Sequence, residues 1–245
     1  KPKKLKFHNY EIEDNYNYLE ENWQEIVKNP KLLPKKIADY LAAENKYADE
    51  YLKDTQNIQD ILYKEMRGRI KEDEVSVEVK YKDYYYYSRY RKKNKDQGHY
   101  SLSCRKFKSM DAPEEIVFDG DLEARGTKYF SYSTALSLDQ KKLAIGADKI
   151  GNEEYLTIVR DIKTKKILTN DIIKTSGNFI FAKNDYFFYT VLNKERRPYK
   201  VMRHTLGDDA KNDMSVFEEK DPSFFVSCSL SLDDRFLYID TSQHD

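Results

Sequence analysis

One pattern constrains the fold of this chain more than any other. A short polar turn rich in Asp or Asn runs directly into an aromatic or aliphatic strand, and it does so four times. It occurs as Lys82-Asp83-Tyr84-Tyr85-Tyr86, Leu138-Asp139-Gln140-Lys141-Lys142-Leu143-Ala144, Lys183-Asn184-Asp185-Tyr186-Phe187-Phe188-Tyr189 and Leu232-Asp233-Asp234-Arg235-Phe236-Leu237-Tyr238. The acidic turn residues Asp83, Asp139, Asp185 and Asp233 recur at intervals of 56, 46 and 48 residues. Asp and Asn suit such turns because their side chains bond the local backbone and tolerate the left-handed region. Other short strands lie between the turns, as in Tyr155–Asp161 and Tyr199–His204. A period of about 40–50 residues with four strands per repeat is the signature of a β-propeller blade. From Val75 onward the alternation is period two, and we expect no helical segment there, which excludes βαβ units.

The first 70 residues read as helix. Asp14 or Asn15 can cap a segment carrying Tyr16, Leu19, Trp23 and Ile26 at helical spacing. Asn29-Pro30 ends it, since the residue before proline disfavours the α region. Pro34 suits the first turn of a second helix, whose apolar stripe runs Ile37, Leu41, Ala48, Tyr51, Ile58, Leu62 and Met66. Unbroken to Met66 it would reach about 50 Å, so an interruption is expected near Asp54-Thr55. Gly68 is the expected C-terminal cap. The stripe is one-sided and requires a partner surface.

The expected class is therefore mainly β with an N-terminal α-helical arm and a partial β-propeller. Residues 1–74 form the arm and 75–245 the propeller part, with blades at about 75–128, 129–174, 175–222 and an incomplete one at 223–245. A ring requires about four to eight blades, so the chain is expected to be a cut through a larger ring. With Lys1 rather than Met at the first position, the natural start is expected to lie upstream. The aromatic fraction of 14 %, with 21 Tyr, offsets a hydrophobic share of 39 %. The tyrosines are expected to carry much of the buried area.

Composition also excludes. Forty-three basic and 43 acidic residues leave no net charge, which argues against a nucleic-acid partner. No window is apolar enough to span a membrane. Cys104 and Cys228 are too few for a disulfide framework and read as reduced, buried thiols of a cytoplasmic protein. His8, His99, His204 and His244 form no metal-binding spacing. Neither a phosphate-cradling glycine motif nor GxSxG occurs, so no cofactor, metal or catalytic residue is assigned. Glu153-Glu154, Asp208-Asp209, Lys3-Lys4 and Arg91-Lys92-Lys93 read as solvated charge. Tyr84–Tyr87 reads as core packing, two rings to each face of a strand.

Several stretches resemble a known family. Asp14-Asn15-Tyr16-Asn17-Tyr18-Leu19-Glu20 is similar to the DPYxWLE opening of the prolyl oligopeptidase family of serine peptidases, with Asn15 and Tyr18 in place of Pro and Trp. Glu65–Asp73, Gly151–Thr157, Arg197–Gly207 and Glu218–Phe225 resemble its oligopeptidase B (protease II) branch. The resemblance runs from about residue 7 to 245. It implies a seven-bladed propeller joined to an α/β-hydrolase domain, embraced by the helical arm. It further implies cleavage of short peptides after Lys or Arg, with a Ser-Asp-His triad in the C-terminal hydrolase part. No residue here matches that part, so this chain alone is expected to be inactive. The expected partners are that hydrolase domain and short basic peptides. An isolated chain is expected to self-associate through its unpartnered stripe and open sheet edge. The alternative is a freestanding propeller that serves as a protein-interaction module without enzymatic activity.

Overall fold

The computed structural model describes every residue except 1, 21, 72–73, 91–99, 170–172, 184–185 and 244–245. The basic run Arg91-Lys92-Lys93, His99, His244 and the turn Asn184-Asp185 lie outside the described residues. The chain divides into two compact units, Lys1–Lys71 and Glu72–Asp245.

The first unit opens with strands rather than helix. β1 (Lys3–Phe7) and β2 (Tyr10–Asp14) form an antiparallel hairpin with Leu5 opposite Ile12. His8, at φ 53°, makes its tight turn. The reading of the whole first segment as helix is corrected here: Leu5 and Phe7 alternate with Lys4 and Lys6, a period-two signal in a stretch dominated by charge. Asp14 does act at the next boundary, where its carboxylate accepts the Tyr16 N–H at 2.8 Å ahead of a 3₁₀ turn at Asn17–Glu20.

α1 (Trp23–Lys28) ends at an extended Asn29, whose side chain accepts from Lys31 N–H and so opens the Pro30–Leu32 turn. α2 (Lys35–Leu52) begins at Pro34 and gives way to a 3₁₀ turn at Lys53–Thr55. There the Thr55 hydroxyl bonds back to the Leu52 carbonyl, and α3 (Gln56–Gly68) follows. The interruption thus falls where the sequence placed it. Gly68 does not cap: it lies in the last helical turn, and Arg69 follows in the right-handed region. Of the two longer helices only Ile37 is buried, while Leu41, Tyr51, Ile58, Leu62 and Met66 remain exposed along one stripe.

The second unit holds three four-stranded antiparallel sheets and one two-stranded sheet. Blade one is β3 (Val79–Tyr81), β4 (Tyr84–Arg89), β5 (Leu102–Phe107) and β6 (Glu115–Asp119) in that order. Val75 adds only an isolated bridge to Arg89. A single helical turn, α4 (Gly120–Glu123), follows with the Asp119 carboxylate capping Leu122 N–H. Among the described residues, this turn and the 3₁₀ turn at Ala210–Asn212 are the short helical segments found where the sequence reading expected none. Blade two is β7 (Ser131–Leu136), β8 (Lys142–Asp148), β9 (Tyr155–Asp161) and β10 (Ile173–Thr175). Blade three is β11 (Phe179–Lys183), β12 (Tyr186–Leu192), β13 (Pro198–Thr205) and β14 (Met214–Glu218). The last sheet pairs β15 (Phe225–Leu230) with β16 (Leu237–Ser242). The architecture is mainly β, a partial propeller, and among the described residues no sheet is closed.

Successive blades are joined by apolar seams, which is how blades stack in such arrays. Val117 and Phe118 of blade one pack with Phe130, Leu143 and Ile145 of blade two. Ala144, Val159 and Ile173 of blade two pack with Phe179, Phe181, Phe187 and Tyr189 of blade three. Val201 of blade three packs with Val226 and Cys228. Gly146 is required in the second seam: a Cβ there would stand 2.6 Å from Phe179 Cε1. Gly177, at φ +88°, sits against the Tyr155 ring where a Cβ would come within 2.9 Å.

The expectation that tyrosines fill the core is corrected. Among the described residues only Tyr189 of the 21 is fully buried, and the core is Phe, Val, Ile and Leu. Tyr84–Tyr87 are half-buried. A buried phenol requires a hydrogen-bond partner, so the rings stand at blade rims where their hydroxyls find one.

Candidate functional site

The repeated turns turn out to be one device used more than once. In blade two, Ser137 Oγ donates to Asp139 and accepts the Lys142 N–H at 2.9 Å, with Gln140 left-handed at φ 61°. In the last sheet, Ser231 Oγ donates to Asp233 at 2.6 Å and accepts the Phe236 N–H at 3.0 Å, with Asp234 left-handed at φ 60°. The blade-one turn is tighter, with Lys82 at φ 53°. The side chains bonding their own loop are the reason Ser and Asp recur there. These bonds hold Asp233 and Asp139 below the usual carboxylate range. For Asp233 the Ser231 and Arg235 bonds are the cause; for Asp139 burial opposes, but the Ser137, Lys141 and Lys142 bonds outweigh it.

The turns also reach one another. Tyr81 Oη donates to Asp234 Oδ2 at 2.7 Å. Lys82 Nζ lies 3.3 Å from the same oxygen and donates to the Leu138 carbonyl at 2.8 Å. Burial and the Asp234 bond raise the Tyr81 pKa; for Lys82 burial opposes, but the bonds to Tyr81 and Asp234 raise it overall. Tyr86 Oη donates to Gln140 Oε1 at 2.9 Å. Arg105, with its side chain almost wholly buried, donates to the Gln140 carbonyl at 2.6 Å and to Glu115 at 2.7 Å. Its guanidinium stacks 4.1 Å over the Tyr84 ring.

A cavity of about 430 Å³ lies between blades one and two. Val77, Val79, Val117, Phe118, Leu136 and Leu143 wall it, with Tyr81, Tyr86, Tyr87 and Cys104. Among the described residues, no charged side chain lines it. Beside it, Arg89 grips Glu114 through two nitrogens at 3.0 and 2.6 Å, and Tyr87 Oη donates to the same carboxylate at 2.6 Å. Arg89 first, then Tyr87, pulls the Glu114 pKa down to about 2. Burial, then the Glu114 charge, pushes the Cys104 thiol up to about 11. Such a thiol is a packed group, not a nucleophile. Cys228 behaves alike, pushed by burial to about 12.

The remaining sequence candidates are dispersed. His8 is at the hairpin tip. His204 is fully buried in β13, its Nδ1 2.7 Å from Asp213 Oδ1, while Tyr189 Oη donates to the other carboxylate oxygen at 2.6 Å. Asp208 accepts from the Asn212 side-chain amide at 2.9 Å beside the turn at Ala210–Asn212, and Glu153 and Glu154 lie in a loop after β8. Among the described residues no three His, Cys, Asp or Glu side chains are grouped to hold a metal ion. Nor, among the described residues, is any helix long and apolar enough to cross a membrane. The sequence reading did not find the Tyr81–Lys82–Asp234 cluster; only the spacing of the turns hinted that they were equivalent.

Comparison with known proteins agrees with this architecture. A family model described as "Prolyl oligopeptidase, N-terminal beta-propeller domain" matches residues 2–245. Protease 2 of Moraxella lacunata is 29 % identical over 212 residues, covering 84 % of this chain and 31 % of that protein. Dipeptidyl aminopeptidase BI of Pseudoxanthomonas mexicana is 27 % identical over 246 residues, covering 95 % and 33 %. The chain spans about a third of the length of these relatives. In fold it is similar to oligopeptidase B from Leishmania major, with a TM-score of 0.83 at 21 % identity over 99 % of this chain and 35 % of that one. Oligopeptidase B from Trypanosoma brucei, bound covalently to antipain in its closed form, gives a TM-score of 0.80 at 22 % identity, again over 99 % and 35 %.

Proposed function

Since the chain belongs to the prolyl oligopeptidase family as its N-terminal β-propeller domain, we propose that it is the non-catalytic, substrate-admitting part of an oligopeptidase B-like serine peptidase. Residues 1–74 act as the arm and 75–245 as part of the propeller. The Ser-Asp-His triad belongs to a C-terminal α/β-hydrolase domain outside residues 1–245. The whole protein cleaves short peptides after Lys or Arg, and the blades admit such peptides while excluding folded proteins by size. The observation that carries this reading is the match of residues 2–245 to the family's propeller domain. The likeness to relatives named as peptidases supports it.

The exposed stripe of α2 and α3 supports two further statements. In the whole protein it packs on the hydrolase domain, and in the chain alone it drives self-association. A concentration series in the ultracentrifuge tests the latter; a monomer at every concentration contradicts it. The two buried free thiols fit a reducing, cytoplasmic setting. The deciding experiment compares the chain with the product of its whole reading frame on Arg- and Lys-ended peptide reporters. The whole product is expected to turn them over and residues 1–245 are not. A stop codon directly after Asp245, or an inactive whole product, would favour a freestanding interaction module.

A further inference from the structure

The first two blade seams share one plan but are filled differently. In the second, the Phe179 ring of blade three lies against Gly146 and Thr157 of blade two: a Cβ at Gly146 would stand 2.6 Å from the ring and 2.9 Å from Thr157 Oγ1. Gly146 and Thr157 are register partners on β8 and β9, and their small size makes room for the ring. In the first seam the matching partners on β4 and β5 are Ser88 and Ser103, again small. The residue that should fill the space between them is not a ring. Thr134 and Leu136 on β7 take the places that Phe179 and Phe181 hold on β11, each pair facing the preceding blade. A threonine thus stands where the second seam has phenylalanine.

The cavity of about 430 Å³ is the space this exchange leaves. Ser88, Ser103 and Thr134 border it, and Phe118, Leu136 and Leu143 form its apolar wall. It is open: Val77 and Val79 at its rim are 83 % and 63 % exposed. The first strands of blades two to four, β7, β11 and β15, lie side by side, as strands around a central passage do. Val79 belongs to β3, the first strand of blade one, so the rim lies on the passage side. An apolar cavity of about 150 Å³ suffices for a benzene-sized guest, so this one has room for a ring and part of the chain that carries it. The lack of charge selects as strongly as the size. An ammonium or carboxylate would lose its water there without gaining a partner, whereas a neutral ring gains by leaving water.

We propose that this socket binds the neutral aromatic side chain of a peptide, phenylalanine in the first place, and seats its ring as the second seam seats Phe179. The proposal rests on the reading of these blades as the part that admits peptides. To Lys or Arg at the cleaved bond it adds a second preference, for a phenyl ring elsewhere in the peptide.

The probe is a short capped peptide of glycines around one para-fluorophenylalanine, titrated by fluorine NMR against residues 1–245 and against the product of the whole reading frame. Saturable binding to both is expected, with competition from the same peptide carrying Phe and none from those carrying Lys or Glu. Val79→Asp charges an exposed rim position without touching the core and should weaken binding about tenfold or more. Thr134→Phe fills the socket from within; it should weaken binding as much, with the thermal midpoint held or raised. Leu232→Asp, equally exposed but outside the lining, should change nothing. Absence of binding to either protein, or binding that survives Val79→Asp, overturns the proposal. So does binding to residues 1–245 but not to the whole product, which would mean that another part of the protein fills the socket. Should Thr134→Phe fail to fold, Val79→Asp decides. The probe holds no Lys or Arg, so its binding can fail while Arg- and Lys-ended reporters are still turned over, and the two readings stand or fall separately.

Discussion

Asn178 offers the sharpest test of how the blades are held together. Its side-chain amide stands in for a strand rung between blade three and the last sheet: Cys228 N–H donates to Oδ1 at 2.8 Å, and Nδ2 donates to the Cys228 carbonyl at 3.1 Å. Cys228 is only 2 % exposed, so water does not serve those two backbone groups in the folded state. Asn178→Ala leaves both unpaired. Each orphaned buried group costs about 1–3 kcal/mol, which puts the loss for the two at about 2–6 kcal/mol, a large share of a domain's typical stability of about 5–15 kcal/mol. Urea unfolding gives the number directly, with the slope unchanged if the native surface is intact. Asn178→Asp separates the two bonds. The carboxylate still accepts from the N–H but confronts the Cys228 carbonyl without a proton. Burial and that repulsion raise its folded pKa above the unfolded value of about 3.9. A group raised in this way stabilises below its unfolded pKa, and the contribution is lost as pH rises through the folded one. The deficit relative to wild type should therefore be smallest near pH 4 and grow towards neutrality. An alanine variant within about 0.5 kcal/mol of wild type, the range of an ordinary surface change, would refute the clamp. A pH-independent deficit in the aspartate variant would refute the assignment of the donor.

Two other perturbations follow from the same geometry. Gly146→Ala drives a methyl to 2.6 Å from the Phe179 ring and should cost about 1–3 kcal/mol, as overpacking does; thermal unfolding measures it, and Phe179→Leu in the same chain should recover part of the loss. Glu114, with its pKa near 2 through Arg89 and Tyr87, stabilises the fold above its unfolded pKa of about 4.3. That advantage disappears as pH falls towards 2, so wild type and Glu114→Gln should converge in unfolding midpoint at acid pH and diverge above pH 5, and parallel curves would contradict the assignment.

The blade repeat was legible because its turn chemistry is local. Ser137 and Asp139, like Ser231 and Asp233, bond backbone groups within five residues of themselves, so the pattern is complete in a short window. The break between α2 and α3 was legible for the same reason, in Asp54-Thr55. The hairpin at Lys3–Asp14 was missed although its alternation was present, since four lysines in the first six residues masked it. Tyrosines were misjudged because area favours burying them while the hydroxyl requires a partner. Tyr81, Tyr86 and Tyr87 answer to Asp234, Gln140 and Glu114, two of those more than 50 residues away. The Asn178–Cys228 clamp and the Tyr81–Asp234 bond are non-local pairings, and no spacing rule marks them.

The central claim is that these blades admit substrates to a peptidase by size. The direct measurement places one Arg-containing cleavage site in a short free peptide and again in an ordered loop of a compact folded protein, and offers both to the product of the whole reading frame. The account predicts rapid cleavage of the peptide and none of the folded protein until it is denatured. Comparable cleavage of both at the outset would contradict it.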